Sequence, residues 1–414
     1  MYHQRIGQTD QTWIENSICS LNLPPAIIEN MFFCPVCSRT YDANRPRWRC
    51  DCGSCLLCRP DATFRAQSLN GGRSIWRYQD LLALHGVEPV TLGEGWTPLQ
   101  PAPLAGRDVW LKLDYLCPTG SYKDRGSAAL LSRLRAWGIA EIIEDSSGNA
   151  GASIAAYAAV AGIRARIFIP ESTSAGKAAQ IEMYGAELVK VPGSREDTAR
   201  AAWSAAEDGT FYASHNWNAH FLLGMKTVAY ELCEQLNWNP PDWLFAPIGG
   251  GSLFCGAWLG FQDMLAAGAI GRAPRMVAVQ AANCAPVWEA WRAGLAEIPA
   301  VAKKETAAEG IAVARPVRDR LVMEVLDQSR GVVCTVSEDG IWEMMEALGR
   351  RGIYVEPTSA TAAAAAADLI GRGMIAPGES VAILLTGSGL KATDKIVAHA
   401  QACAAEPSPA VVHR

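Results

Sequence analysis

Cys117-Pro118-Thr119-Gly120-Ser121-Tyr122-Lys123-Asp124-Arg125-Gly126 reads as a turn running into a helix, with a lysine at the junction. Pro118, Thr119, Gly120 and Ser121 supply turn chemistry. The apolar periodicity of Ala128 to Trp137 predicts the helix that follows. Taken alone, a lysine between an aromatic and an acidic residue is a solvated surface group in most proteins. A helix start, however, favours a neutral amine over an ammonium ion, and a neutral amine attacks aldehydes. Whether Lys123 is a nucleophile therefore depends on what the rest of the chain brings to it.

Outward from this segment, apolar runs of strand length alternate with longer helical patterns. The predicted strands are Val109 to Leu113, Glu141 to Glu144, Ala165 to Ile169, Glu187 to Val191, Trp243 to Pro247, Met276 to Val279, Val332 to Val336, Tyr354 to Val355 and Val381 to Leu385. Such alternation argues for an α/β protein built on parallel sheets. Ala-rich stretches such as Ala360 to Ala367 have strong helix propensity and read as packed helices. No internal repeat stands out. The first thirty residues and the Ala/Pro/Ser tail after Ala400 are expected to be mobile.

Three polar, glycine-bearing segments follow predicted strands. Pro247-Ile248-Gly249-Gly250-Gly251-Ser252-Leu253 sits between the strand at Trp243 and the helical run Phe254 to Leu265. Glycines let backbone N–H groups converge on a phosphate without a Cβ in the way. The spacing matches neither a nucleotide P-loop nor a dinucleotide fingerprint, so a single phosphomonoester fits better. A plain structural turn explains a lone glycine triplet equally well. Ser146-Ser147-Gly148-Asn149-Ala150-Gly151 opens another helix, and its free N–H groups suit a carboxylate. The side-chain amide of Asn149 suits a ring hydroxyl; the plainer alternative is an N-cap in a βα turn. Leu385-Thr386-Gly387-Ser388-Gly389-Leu390 puts a hydroxyl at a strand's carboxyl end, where α/β proteins collect ligands. Thr386 can meet a pyridine nitrogen but, being neutral, cannot stabilise pyridinium, which suits elimination and replacement over transamination. An amine, a phosphate cradle, a hydroxyl partner and a ring-nitrogen partner together describe a site for pyridoxal 5'-phosphate.

The 414-residue chain is half hydrophobic, enough for two or three domains. With 37 basic against 42 acidic residues it lacks the charge bias of a nucleic-acid binder. No apolar run of about 18 residues and no leader pattern is present, so a cytoplasmic enzyme acting on a small molecule is expected. Of 13 cysteines, six cluster at Cys34, Cys37, Cys50, Cys52, Cys55 and Cys58. In a reducing compartment, Cys34-x2-Cys37 and Cys50-x-Cys52 read as the two knuckles of a zinc ribbon, with Cys55 and Cys58 as alternative ligands. Four thiolates would close the coordination sphere, so such a metal is structural.

These motifs resemble those of the fold type II pyridoxal phosphate enzymes, and within them threonine synthase. The resemblance runs from about Met31 to Asp394. It includes Trp76-Arg77-Tyr78, Gly93-Glu94-Gly95-Trp96-Thr97-Pro98-Leu99, the Lys123 and Asn149 segments, Gly224-Met225-Lys226-Thr227, Val355-Glu356-Pro357-Thr358-Ser359-Ala360 and Thr386-Gly387-Ser388-Gly389-Leu390-Lys391. It implies that Lys123 is the Schiff-base lysine and that Asn149 binds the ring hydroxyl. It further implies that Gly249, Gly250, Gly251, Ser252 and Leu253 cradle the phosphate, that Thr386 meets the ring nitrogen, and that Ser146, Ser147, Gly148 and Asn149 receive the amino acid. It implies two doubly wound parallel-sheet domains: a large cofactor domain (66–125 and 214–400) and a small mobile one (126–213). An N-terminal extension with the ribbon (1–65), a flexible tail (401–414) and a homodimer complete the expectation.

Two departures bear on the substrate. Threonine synthases commonly place an arginine before the Gly-x-Lys-Thr segment to hold the phosphate of O-phosphohomoserine. Here Ser214-His215-Asn216-Trp217-Asn218-Ala219-His220-Phe221-Leu222-Leu223 contains none. Lys177 and Lys226 are candidate substitutes, and His215 and His220 candidate pocket residues. The phosphate loop, Gly-Gly-Gly-Ser, is closer to serine and threonine dehydratases. Three functions therefore compete: a threonine synthase-like elimination or replacement at the β or γ carbon, a serine or threonine ammonia-lyase, and a non-catalytic binding module on the same fold.

Overall fold

The computed structural model describes residues 30–59, 63–66, 69 and 71–405. An antiparallel ribbon comes first, formed by β1 (Met31–Phe33), β2 (Thr40–Asp42) and β3 (Leu57–Arg59) in the order β2-β1-β3. The hairpin β4 (Leu99–Leu104) and β5 (Arg107–Leu113) leads into α1 (Lys123–Ala136).

A four-stranded parallel sheet follows. Its strands β6 (Glu141–Glu144), β7 (Arg164–Pro170), β8 (Glu187–Val191) and β9 (Phe211–Tyr212) alternate with α2 (Asn149–Ala161), α3 (Ala175–Met183) and α4 (Arg195–Glu207). The spatial order is β8-β7-β6-β9. After α5 (Ala219–Gln235) the chain builds the larger sheet. Its strands are β10 (Trp243–Pro247), β11 (Arg275–Ala281), β12 (Val332–Val336) and β13 (Val381–Leu385); its helices are α6 (Ser252–Ala266), α7 (Pro286–Ala293), α8 (Asp319–Gln328), α9 (Glu338–Gly349), α10 (Pro357–Gly371) and, last, α11 (Thr393–Ala405). The order β12-β11-β10-β13-β5-β4 is parallel except at the β4 edge.

Two positions in these orders decide where ligands collect. β10 has β11 on one side and β13 on the other, so the connections leaving it diverge and open a crevice beyond its carboxyl end. β6, between β7 and β9, does the same in the smaller sheet. The glycine triplet follows β10 and the Ser146–Asn149 segment follows β6. β13, Val-Ala-Ile-Leu-Leu, is buried along its whole length, as a central parallel strand covered on both faces must be.

Three places differ from the reading of the sequence. β4 contains Pro101 and Pro103, which argue against a strand; as the antiparallel edge it has room for residues without an N–H. Tyr354 and Val355 form only an isolated bridge, Val355 to Ser388. α11 is helical to Ala405, within the stretch expected to be a tail. The first 29 residues and those after Ala405 lie outside the described residues.

α1 is locked in place by charge as well as packing. Arg125, on its first turn, is fully buried and forks to two carboxylates. Nε and Nη2 each lie 2.8 Å from Asp114, while Nη1 and Nη2 lie 2.5 and 2.8 Å from Glu231. Lys112 Nζ donates to the same Glu231 at 2.8 Å. The close crossing of α1 and α5 needs a residue without a side chain: a Cβ on Gly224 would stand 2.1 Å from the Arg125 carbonyl oxygen.

Candidate active site

The Lys123 turn is stitched to the loop after β13. Tyr122 N donates to the Thr386 carbonyl at 2.9 Å, Ser388 N donates to the Gly120 carbonyl at 2.9 Å, and Ser121 pairs with Gly387. Lys123 is the first residue of α1, as expected, with its Nζ 4.5 Å from the centre of the Tyr122 ring. The neighbouring Asp124 turns inward. It accepts from Thr119 N, Thr119 Oγ1 and Ser153 Oγ at 2.7, 2.5 and 2.6 Å. Burial pushes its carboxyl up to about 6.

Gly251 adopts φ +89°, and α6 starts at Ser252 with no side chain capping its first N–H groups. A Cβ on Gly250 would stand 2.0 Å from Asn216 Oδ1, so the close approach of these two loops requires glycine there. α2 likewise starts uncapped after Gly148. Asn149 Nδ2 donates to both oxygens of Glu356, at 3.0 and 3.1 Å. Thr386 is buried with Oγ1 2.9 Å from Ser359 Oγ, which also accepts the N–H groups of Thr386 and Gly387.

Lys123, Ser146 to Asn149, Gly249 to Leu253 and Thr386 all line one cavity of about 1830 Å³. Uncapped helix starts at two of its corners offer N–H groups to anions, and a glycine loop leaves room for a phosphate, so the residues fit pyridoxal 5'-phosphate.

His215 lines the cavity; His220 does not, being buried with its ring 5.4 Å from that of Phe32 and 5.3 Å from that of Trp137. Lys226 is also buried away from the cavity and is ion-paired with Asp263. The side chain of Lys177 lies outside the described residues. The cations that do line the cavity include Arg195, ion-paired with Asp145 at 2.7 Å, Lys303, paired with Glu196 at 3.0 Å, and Lys391. Lys391 donates to the Thr119 carbonyl at 3.1 Å, and burial lowers its ammonium below the usual lysine range.

Sequence reasoning assigned no role to Glu356, Asn216 or Arg195. Glu356 had one signal, an acidic residue before a helix-initiating proline. The other two are placed only by tertiary contact.

In the ribbon, the sulfurs of Cys34, Cys37, Cys50 and Cys52 lie within 4.8 Å of one another, with Cys34 to Cys52 at 3.6 Å and Cys37 to Cys50 at 3.4 Å. A tetrahedral ion with Zn–S bonds of about 2.3 Å sets its sulfurs about 3.8 Å apart, so the four thiols fit zinc. Cys55 instead is buried 3.9 Å from the Asn216 carbonyl, and Cys58 belongs to β3. The ribbon reaches the cavity wall. Trp48 packs edge-on against Trp203, Tyr212 and Trp217 at 4.9, 5.1 and 5.9 Å, and these three line the cavity.

Residues 90–387 match the family described as pyridoxal-phosphate dependent enzyme. The threonine synthase of Methanocaldococcus jannaschii is 32% identical over 378 residues, which cover 88% of this chain and 93% of that protein. Among solved structures, maize serine racemase aligns with a TM-score of 0.66 at 21% identity, over 80% of this chain and 98% of that one. A fungal L-serine ammonia-lyase from Rhizomucor miehei aligns with a TM-score of 0.65 at 22% identity, over 76% and 99%. At these identities the two structures share the fold. Among the described residues, no helix is long and apolar enough to cross a membrane. The family match and the end-to-end likeness to a threonine synthase together make this chain a threonine synthase-like member of the pyridoxal-phosphate dependent enzymes.

Proposed function

We propose that this protein uses pyridoxal 5'-phosphate to eliminate or replace a substituent at the β or γ carbon of an amino acid. One observation carries the reading: the amine of Lys123, two uncapped helix starts and the Thr386 hydroxyl share a single cavity. When bound there, the cofactor supplies an electron sink for negative charge at the α-carbon.

The chain's own residues do the rest. Lys123 anchors the cofactor through Nζ and, once released, takes the α-proton at the same atom. The N–H groups from Gly249 to Leu253 receive the phosphate, and those from Ser146 to Asn149 hold the substrate carboxylate. The Asn149 amide is the partner for the ring hydroxyl. Thr386, a neutral hydroxyl, meets the ring nitrogen without adding charge, which directs chemistry toward elimination and replacement.

Cavity cations available to hold an anion in place of the arginine missing from Ser214 to Leu223 include Arg195, Lys303, Lys304 and Arg315. Arg195 and Lys303 already face carboxylates, which weakens their pull on a second anion. The ammonia-lyase reading rests on the glycine loop and a likeness of fold, whereas the threonine synthase identity runs along most of the chain.

Incubation of the reconstituted protein with O-phospho-L-homoserine, L-threonine and L-serine separates them. Phosphate release is expected; 2-oxo acid from serine or threonine without phosphate release would favour the ammonia-lyase. Lys123→Ala is expected to abolish turnover and the absorbance of bound cofactor together, and an active, coloured K123A protein overturns the proposal.

The same proposal includes a structural zinc ion on Cys34, Cys37, Cys50 and Cys52. It also treats 126–213 as a small domain that moves against the cofactor domain of 66–125 and 214–400.

A further inference from the structure

β6 ends on Glu144, a carboxyl with no exposed surface. Its Oε1 lies 2.7 Å from His215 Nδ1 and its Oε2 accepts His215 N at 3.2 Å. The imidazole keeps 11% of its side-chain surface and lines the cavity that holds Lys123, while the Phe221 ring sits edge-on at 6.0 Å. A ring held through Nδ1 has only Nε2 left to offer the cavity. Nothing in the reaction assigned above uses this buried carboxyl or its partner.

We propose that His215, backed by Glu144, is a second catalytic residue that protonates the leaving oxygen as it departs from the substrate's side chain. This rests on the elimination or replacement reading above.

The electrostatics support that role. Burial pushes the Glu144 carboxyl up, and the adjacent Asp145 adds to it, against opposition from Arg195 and Lys123. Burial holds the His215 imidazole well below its ordinary value, assisted by Lys123 and Arg195 and opposed by Asp145. Both shifts favour the uncharged forms, and a ring that accepts the carboxyl proton at Nδ1 carries its own hydrogen on Nε2. The groups that face it are Lys123 from α1, Asp145 after β6, Arg195 from α4 and Tyr212 from β9.

Elimination at the β carbon moves two protons, and two elements of the fold divide them. Lys123 Nζ takes the α-proton; the C–H electron pair becomes the new carbon–carbon double bond as the C–O bond breaks, its pair leaving on oxygen. That oxygen takes the proton of His215 Nε2, and Nδ1 takes the carboxyl proton of Glu144. A carboxylate then faces the Lys123 ammonium. The entering nucleophile, or solvent, returns a proton to Nε2 and resets the pair.

Leaving-group dependence tests this. Chloride departs without a proton, so β-chloro-L-alanine needs no acid, whereas hydroxyl and phosphate esters do or benefit from one. Wild-type, His215→Asn and Glu144→Gln proteins reconstituted with pyridoxal phosphate would be compared on β-chloro-L-alanine and on the fastest of L-serine, L-threonine and O-phospho-L-homoserine. Cofactor absorbance and α-proton exchange in deuterated water are read in parallel.

For H215N the expected result is a loss of about 100-fold or more on the oxygen substrate but less than about tenfold on β-chloro-L-alanine, with cofactor absorbance and α-proton exchange retained; E144Q falls between. Equal losses on both substrates, or no loss on either, overturn the proposal. So does a wild-type protein that acts on β-chloro-L-alanine and on no oxygen substrate. Failure of the wild type to take up cofactor or exchange the α-proton refutes the functional reading itself, a separate outcome.

Discussion

Replacing Arg125 with methionine tests how the fold holds α1 and Lys123 at its start. The change keeps most of the side-chain volume and removes the guanidinium that joins Asp114 to Glu231 in an interior closed to water. Glu231 keeps Lys112, but among the described residues the Asp114 carboxylate keeps only the Thr97 hydroxyl at 2.6 Å. Leaving a buried charge without its partner costs about 3–5 kcal/mol. A chain of 414 residues unfolding as one unit has an unfolding entropy of about 0.9 kcal/mol/K, so the Tm is expected to fall by roughly 3–6 °C.

A pH signature accompanies it. Burial alone would push the Glu231 carboxyl up, but Arg125 and Lys112 outweigh it and hold the group at about 2. A carboxyl with a depressed folded value stabilises the protein above its unfolded value near 4.5, and that stability is lost as pH falls from 4.5 toward 2. In R125M this acid-sensitive share is expected to shrink. Thermal unfolding followed by circular dichroism at pH 7 and pH 4 reads both effects. Adding Asp114→Asn to R125M is expected to recover part of the loss, because it removes the stranded charge. A Tm within about 1 °C of wild type would refute the claim that this network anchors α1.

Two further substitutions probe the cavity and the ribbon. Gly250→Ala is expected to weaken cofactor affinity at least about tenfold, read by absorbance titration, because the new Cβ would meet Asn216 Oδ1 and force the two loops apart; unchanged affinity would argue against Gly249 to Leu253 as the phosphate cradle. Purified protein is expected to carry one zinc per chain by elemental analysis, lost in Cys37→Ser and retained in Cys55→Ser, and a Tm unmoved by zinc removal would argue against a structural role.

The ribbon's place in the molecule gives the four-cysteine cluster consequences beyond its own three short strands. Arg318 donates to the carbonyls of Leu56, Trp217 and Asn218, tying the end of the ribbon to the cavity-lining segment. Together with Trp48 against Trp203 and Trp217, this couples order in the ribbon to the shape of the cavity wall.

The sequence by itself determined most strands of the two parallel sheets, because fully buried strands must be continuous apolar runs bounded by turn residues. It also made legible the segments that come together in the cavity, since a lysine at a helix start, a glycine triplet after a strand and a hydroxyl at a strand's carboxyl end each state their local chemistry. Local chemistry failed at β4, where Pro101 and Pro103 are tolerated only because the strand is an edge. It also could not separate His215 from His220, five residues apart with the same side chain. The tertiary structure separates them: the turn after β9 aims one ring at Glu144 and the cavity, while α5 buries the other against Phe32 and Trp137. Contacts such as Asn149 with Glu356, or Arg125 with Glu231, join residues more than a hundred positions apart. No periodicity or spacing carries such a pairing, because it exists only once the sheets have set the helices against one another.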